Sequence, residues 1–143
     1  MSAIAFDIPE DICAMRDGLR AFAEAEVLPR HEANSDLFAD QRRLYNEDGR
    51  FSDELLQLIG EVRRAASKAG YYQMCVPEHL GGGGMGHLAY FVGGEELFRV
   101  CGPQNWLMLY AVSHWAFGPS RMLEKVTEEA RCLLYTSPSP RDN

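Results

Sequence analysis

The chain has 143 residues, of which 46% are hydrophobic and 24% charged, the composition of a globular domain with a core of its own. Its net charge of −7 argues against nucleic acid as a partner, since phosphate binding needs a basic face. No apolar run approaches the roughly 20 residues of a membrane span, and we expect no signal peptide, since residues 1–7 have neither a basic region nor a long apolar run. The four cysteines form no C-x-x-C pair, so we expect small core residues in a cytoplasmic protein.

The first half of the chain predicts two amphipathic helices. Apolar residues at helical spacing place the first helix from about Pro9 to Leu28 and predict that Pro29 ends it. Residues 31–50 are polar and indicate a long connection with room for a short helix. Ser52 is expected to cap a second helix, which Gly70 ends.

A glycine-rich loop follows. Its candidate structural residues are Pro77, Glu78, Gly81, Gly82, Gly84 and Gly86. Glycine gives up the most backbone freedom on folding, so a cluster of this kind predicts positive φ angles or a close backbone approach. The partner in such an approach could be a ligand, a cofactor or another helix.

Three further helices are predicted after the loop, the first of them over about His87–Cys101. Its candidate core residues are Leu88, Phe91, Leu97 and Phe98. The pair Gly93-Gly94 inside it costs about 1 kcal/mol per glycine, which close packing against a helix or a ligand would explain. A fourth helix, from Gln104 to Phe117, is apolar on nearly every face and should be buried all round. A fifth begins at Gly118-Pro119 and carries Met122, Leu123, Val126 and Ala130.

The fold class that follows is all-α, a bundle of about five helices, because no alternating strand pattern occurs. Residues 132–143 depart from this pattern, since two Ser-Pro steps prevent the last helix from continuing. This tail resembles a peptide that sequencing adapters add to unrelated reading frames. We therefore expect a helical domain over 1–131, cut from a longer protein, and a non-native disordered tail over 132–143.

Several motifs in chain order carry a family resemblance. They are Pro77-Glu78-x-x-Gly81-Gly82-x-Gly84, Glu95-Glu96-Leu97-x-Arg99 and Thr127-Glu128-Glu129-Ala130-Arg131, set among the helices described above. Over residues 10–131 the chain resembles the N-terminal helical domain of flavin-dependent acyl-CoA dehydrogenases. It departs from that pattern in the long polar connection at 31–50 and at Val126, where members often have glycine.

The resemblance implies an enzyme that removes an α-proton from an acyl-CoA thioester with a glutamate base and passes a hydride to FAD. It also implies an electron acceptor as a partner and a homo-oligomeric parent. In that family the flavin sits mainly on a middle β-domain and a C-terminal helical domain, and the base lies there too. We therefore assign no catalytic residue, and expect the fragment to be inactive and to bind FAD weakly. Glu78, Glu95 and Glu96 are expected to be solvated or capping carboxylates.

The fourth helix resembles the one that closes the far end of the acyl pocket. The candidate pocket residues are Met108, Val112, Ser113 and Phe117. The alternative for each of them is ordinary core packing, which most apolar helical stripes serve.

Other functions remain as alternatives. Gly81, Gly83 and Gly86 match G-x-G-x-x-G, but no buried strand precedes them, as a dinucleotide site requires. A Walker loop is excluded because no lysine followed by serine or threonine comes after the glycines. Cys75, His79 and His87 lack the spacing of zinc ligands, so we assign no metal. A non-catalytic helical interaction module stays open, and a large exposed apolar patch would favour it.

Overall fold

The computed structural model describes residues 7–112 together with Lys125, Thr127 and Glu129. The chain divides into two compact units, Met1–Ser113 and His114–Asn143. In the second unit the three described residues are exposed. The helices and the candidate site reported below all belong to the first unit.

Helices form the regular structure of the first unit in its described part, and no strand is found there, which confirms the all-α prediction. Its helices are α1 (Glu10–Phe22), a π-helical turn (Ala23–Val27), α2 (Leu28–Ala33), α3 (Ser35–Ala39), α4 (Asp53–Ala69) and α5 (Gly86–Cys101), with 3₁₀ turns at Gln41–Leu44, Glu78–Leu80 and Trp106–Tyr110. The extended pairing found among the described residues is one isolated bridge between Tyr45 and Phe51. No helix in this part of the chain is long and apolar enough to cross a membrane.

Helical backbone continues through Pro29, so the prediction that this proline ends the first helix is wrong. The π-helical turn explains why: the Leu28 amide donates to the Ala23 carbonyl, five residues back. That wider turn accommodates the proline ring, which in a regular α-helix would meet the carbonyl four residues earlier. The Arg30 guanidinium donates to the Glu26 carbonyl at 2.5 Å and so satisfies a backbone acceptor in the same turn.

The predicted ends of the second helix, α4, are confirmed. The Ser52 hydroxyl accepts a hydrogen bond from the Leu55 amide at 3.3 Å and caps the first turn. Gly70 follows the last turn with a left-handed φ of 88°. The apolar stripe between these caps is buried at Leu55, Leu58, Ile59, Val62 and Ala66.

The packing of α1 against α5 depends on small residues. A Cβ atom at Gly93 would lie 3.0 Å from Leu19 Cδ2 and 3.1 Å from Met74 Cε, so only glycine allows this approach without displacement. Ala89 is fully buried on the same face of α5. Gly93 is therefore explained by close helix packing, one of the two reasons expected from the sequence.

The larger side chains of α5 consequently face away from α1. Leu97 is buried as predicted, but Leu88, Phe91 and Phe98 are 49%, 69% and 49% exposed, and their assignment to the core is wrong. The physical reason is that the buried face of α5 is the one with small residues. Two of these exposed side chains, Phe91 and Phe98, border the candidate site.

Candidate functional site

An apolar groove lies between α5 and the 3₁₀ turn Trp106–Tyr110. Its volume is about 410 Å³, within the range of roughly 300–1,000 Å³ typical of small-molecule sites. Its lining consists of Tyr90, Phe91, Gly94, Glu95, Leu97, Phe98, Met108, Leu109 and Val112. These described lining residues all come from one short stretch of the first unit.

Two of the four predicted pocket residues lie in this groove. Met108 and Val112 line it and are almost fully buried. The other two, Ser113 and Phe117, lie outside the described residues. The predicted fourth helix begins with a 3₁₀ turn in the described part, and the rest of it and the fifth helix lie outside that part.

Asn105 fixes the wall that carries Met108. Its side-chain oxygen accepts hydrogen bonds from the Leu107 and Met108 amides at 3.1 and 3.3 Å and so caps the 3₁₀ turn. The turn packs against α4, where the Arg63 guanidinium lies 4.9 Å from the centre of the Tyr110 ring. The position of Met108 is therefore set by a cap on one side and by helix packing on the other.

Sequence reasoning missed Phe91 and Phe98 as groove residues. Both are spaced with Gly94 along one face of α5, at intervals of three and four residues. Helical spacing showed that they share a face, but not whether that face meets the core or the groove. The signal that could have identified the groove was Gly94, since none of the described residues packs against it: none of their atoms lies within 4 Å of a Cβ atom built there.

The glycine loop folds back on the segment before it. The amides of Gly82, Gly83, Gly84 and Met85 donate to backbone carbonyls of residues 73–77, at distances between 2.8 and 3.2 Å. A phosphate cradle needs such amides free to point at the ligand. These amides are already paired, so the loop is not built as a dinucleotide or Walker-type site.

The loop's composition follows from this return of the chain. Gly81, Gly84 and Gly86 have φ angles of 87°, 66° and 73°, where side chains with a Cβ are strained. At Gly82 a Cβ atom would lie only 2.0 Å from the Val76 carbonyl oxygen. Pro77 introduces the 3₁₀ turn Glu78–Leu80 that starts the reversal.

Glu96 departs from the prediction of a solvated or capping carboxylate, because it is only 5% exposed. Arg99 Nε donates to its Oε2 at 2.9 Å, and Arg20 from α1 donates to Oε1. These hydrogen bonds, from Arg99 first and then Arg20, lower the pKa of Glu96 to about 2 against the opposing effect of burial. Glu96 therefore stays ionised and ties α5 to α1, whereas Glu78 and Glu95 are exposed.

The described cysteines and histidines do not assemble a metal site. Among the residues that the structure describes, no three His, Cys, Asp or Glu side chains are grouped so as to hold a metal ion. Burial raises the pKa of the Cys75 thiol to about 11, so it remains protonated at neutral pH. Cys75 therefore packs as a small apolar residue.

Comparison with known proteins identifies the family. Residues 9–131 match the family described as acyl-CoA dehydrogenase, N-terminal domain. The short-chain specific acyl-CoA dehydrogenase, mitochondrial, of Sus scrofa is 30% identical over 102 residues. That alignment covers 71% of this chain and 20% of the pig protein, so the chain spans a minor part of its relative's length. No solved structure gives a significant match. The match over residues 9–131 shows that the chain belongs to the acyl-CoA dehydrogenase family and carries its N-terminal domain.

Proposed function

We propose that this chain is the N-terminal part of an enzyme that introduces an α,β double bond into an acyl-CoA thioester, with hydride transfer to FAD. Its own contribution is an apolar wall of the acyl pocket and a packing surface for the rest of the enzyme. The parent protein takes an acyl-CoA substrate and an electron acceptor, and it forms homo-oligomers. The free thiols of Cys13, Cys75 and Cys101 favour a reducing compartment such as the cytoplasm.

The apolar groove is the observation that carries this proposal. Met108 and Val112 form one wall, and the exposed rings of Phe91 and Phe98 border the other. An acyl chain is held by removing apolar surface from water, which a groove of this composition achieves without specific hydrogen bonds. The chain's part in the reaction is therefore to position and desolvate the tail, while proton and hydride transfer belong to residues outside it.

The flavin has no evident place in the described residues. When bound, FAD supplies the redox chemistry, and its pyrophosphate normally rests on free backbone amides. The glycine loop is the segment most similar to such a cradle, and its amides are paired internally. We therefore expect weak or undetectable FAD binding by the 143-residue chain, measured by flavin fluorescence during a titration.

The test of the proposed function uses the uninterrupted reading frame that continues beyond Arg131. Expressed and purified, its product is expected to be yellow, with flavin absorbance that an acyl-CoA thioester bleaches under anaerobic conditions. A colourless product that shows no flavin after reconstitution would remove the enzymatic proposal. A flavoprotein that acyl-CoA thioesters leave oxidised would remove the substrate class alone.

A non-catalytic interaction module is the second candidate. The half-exposed Leu88, Phe91, Phe98 and Leu109 form the kind of apolar surface that protein partners cover. The two candidates differ in the parent protein, since an interaction module carries neither flavin nor acyl-CoA-dependent absorbance changes. The same purified reading frame therefore decides between them.

A further inference from the structure

We propose that Gly94 determines how deep an acyl chain enters the groove, and hence the chain-length preference of this domain. This inference rests on the proposed function, because it assumes that the groove receives the tail of an acyl-CoA thioester. It adds a specificity-determining residue that neither the family match nor the relative assigns. The argument begins with the cost of glycine at this position.

Among the described residues, none requires glycine at position 94. It lies in the middle of α5, where glycine is about 1 kcal/mol less favourable than alanine. Its φ angle is not among the positive values found in the chain. No atom of the residues that the structure describes lies within 4 Å of the position a Cβ would take, whereas at Gly93 the Leu19 and Met74 side chains lie within 3.1 Å. Helix packing thus explains Gly93, and no packing in the described part of the chain explains Gly94.

The groove supplies that reason. Gly94 lines the groove one turn from Phe91 and one turn from Phe98, so the absent side chain leaves a recess between the two rings. Any larger residue at this position would project into the space that an occupant uses. The helix accepts the unfavourable residue because the recess has to remain empty in the folded chain.

The shape and charge of the recess favour a linear, uncharged tail. Glu95 is the charged residue among the described residues of the groove lining, and its carboxylate would repel a tail that ends in a second carboxylate. The volume of about 410 Å³ suits a small ligand buried over most of its length. The groove is therefore assigned to the unbranched apolar tail of an acyl-CoA thioester, with Gly94 among the residues that line it.

The expected effect is a change in chain-length dependence. Each methylene that leaves water improves affinity about fourfold, until the end of the groove is reached. A leucine at position 94 adds roughly the volume of four chain carbons to the recess. In the Gly94→Leu variant, the affinity for acyl-CoA should therefore stop rising at a tail about four carbons shorter than in the wild type. The affinity for the shortest tails should be the same in both proteins.

The experiment is calorimetric titration of the 143-residue chain with straight-chain acyl-CoA thioesters of increasing length. Gly60→Leu is the matched control, since Gly60 lies inside α4, away from the groove, and a Cβ there meets only the end of the Arg64 side chain, at 3.2 Å. The control is expected to follow the wild type at every length. Circular dichroism verifies that each variant is folded. If the Gly94→Leu variant is not folded, Gly94→Ala replaces it in the titration. Its affinity should stop rising at a tail about one carbon shorter than in the wild type.

The outcomes separate the two levels of the proposal. A lower length limit in the Gly94 variant, with Gly60→Leu unchanged, supports the role of Gly94. A second result is that the affinity of the wild type rises with tail length while the Gly94 variant reaches its limit at the same length as the wild type. That result would overturn the role of Gly94 and leave the acyl groove intact. Wild-type affinity that is independent of length, or absent, would overturn the acyl groove itself and with it the inference about Gly94.

Discussion

The adjacent glycines of α5 provide a direct test of the packing described above, because the same substitution should have opposite effects at the two positions. Replacing glycine by alanine inside a helix gains about 0.5–1 kcal/mol from backbone entropy. At Gly94 the new methyl group meets no atom of the described part of the chain within 4 Å, so the full gain should remain. At Gly93 it meets Leu19 Cδ2 at 3.0 Å and Met74 Cε at 3.1 Å, and both side chains have to move. Overpacking of this kind costs about 1–3 kcal/mol, which cancels or exceeds the gain.

We therefore expect Gly94→Ala to raise the free energy of unfolding by about 0.5–1 kcal/mol. Gly93→Ala should lower it by about 0–2 kcal/mol, which leaves a gap of about 1–3 kcal/mol between the variants. Urea unfolding followed by circular dichroism measures both values on the same chain. Equal free energies for the two variants, or a Gly94→Ala protein less stable than the wild type, would refute the assignment of Gly93 to packing and of Gly94 to open space.

Three further predictions concern the loop, the buried carboxylate and the cap. Gly82→Ala should lower the free energy of unfolding by about 2–4 kcal/mol, because the new methyl group would meet the Val76 carbonyl. It should also speed hydrogen exchange of the loop amides, and an unchanged exchange rate would contradict this prediction. Hydrogen bonds from Arg99 and Arg20 lower the pKa of Glu96 from 4.5 to about 2 although burial raises it, so the stability that the carboxylate contributes is complete above pH 4.5 and is lost as the pH falls towards 2. Glu96→Gln should therefore cost about 1–3 kcal/mol in urea unfolding at neutral pH and lose less stability than the wild type on acidification. Asn105→Ala should lower the free energy of unfolding by about 1–2 kcal/mol, measured by thermal unfolding. An unchanged stability would show that the cap is dispensable.

Local chemistry made the ends of α4 predictable. Ser52 and Gly70 act within a few residues of their own positions, so their roles depend little on the rest of the fold. The buried stripe of α1 was predictable for a similar reason, because each turn repeats the same spacing. The family resemblance came from the order of such local motifs, and the match over residues 9–131 confirms it.

Pro29 shows where a local rule fails. A proline inside an α-helix removes one hydrogen bond and introduces a clash, and on that basis it should end the helix. The chain avoids both problems by widening one turn between Ala23 and Val27, and Arg30 satisfies a carbonyl in that turn. No residue pattern announces a π-helical turn, so the continuation to Ala33 could not be predicted from composition or spacing.

The pair Glu95-Glu96 and the apolar residues of α5 were unpredictable for one shared reason. Periodicity tells which side chains lie on the same face of a helix, but the identity of the partner decides which face is buried. Here the partner is α1, whose Arg20 pairs with Glu96 although 76 residues separate them in the sequence. Once α1 lies against the small residues of α5, Glu96 must be buried and ion-paired, and Phe91 must face outward. The groove forms because α1 covers the face of α5 that carries Gly93 and leaves the face of Phe91, Gly94 and Phe98 open. For this reason Gly94, and no large apolar residue, was the residue in the sequence that could have indicated the groove.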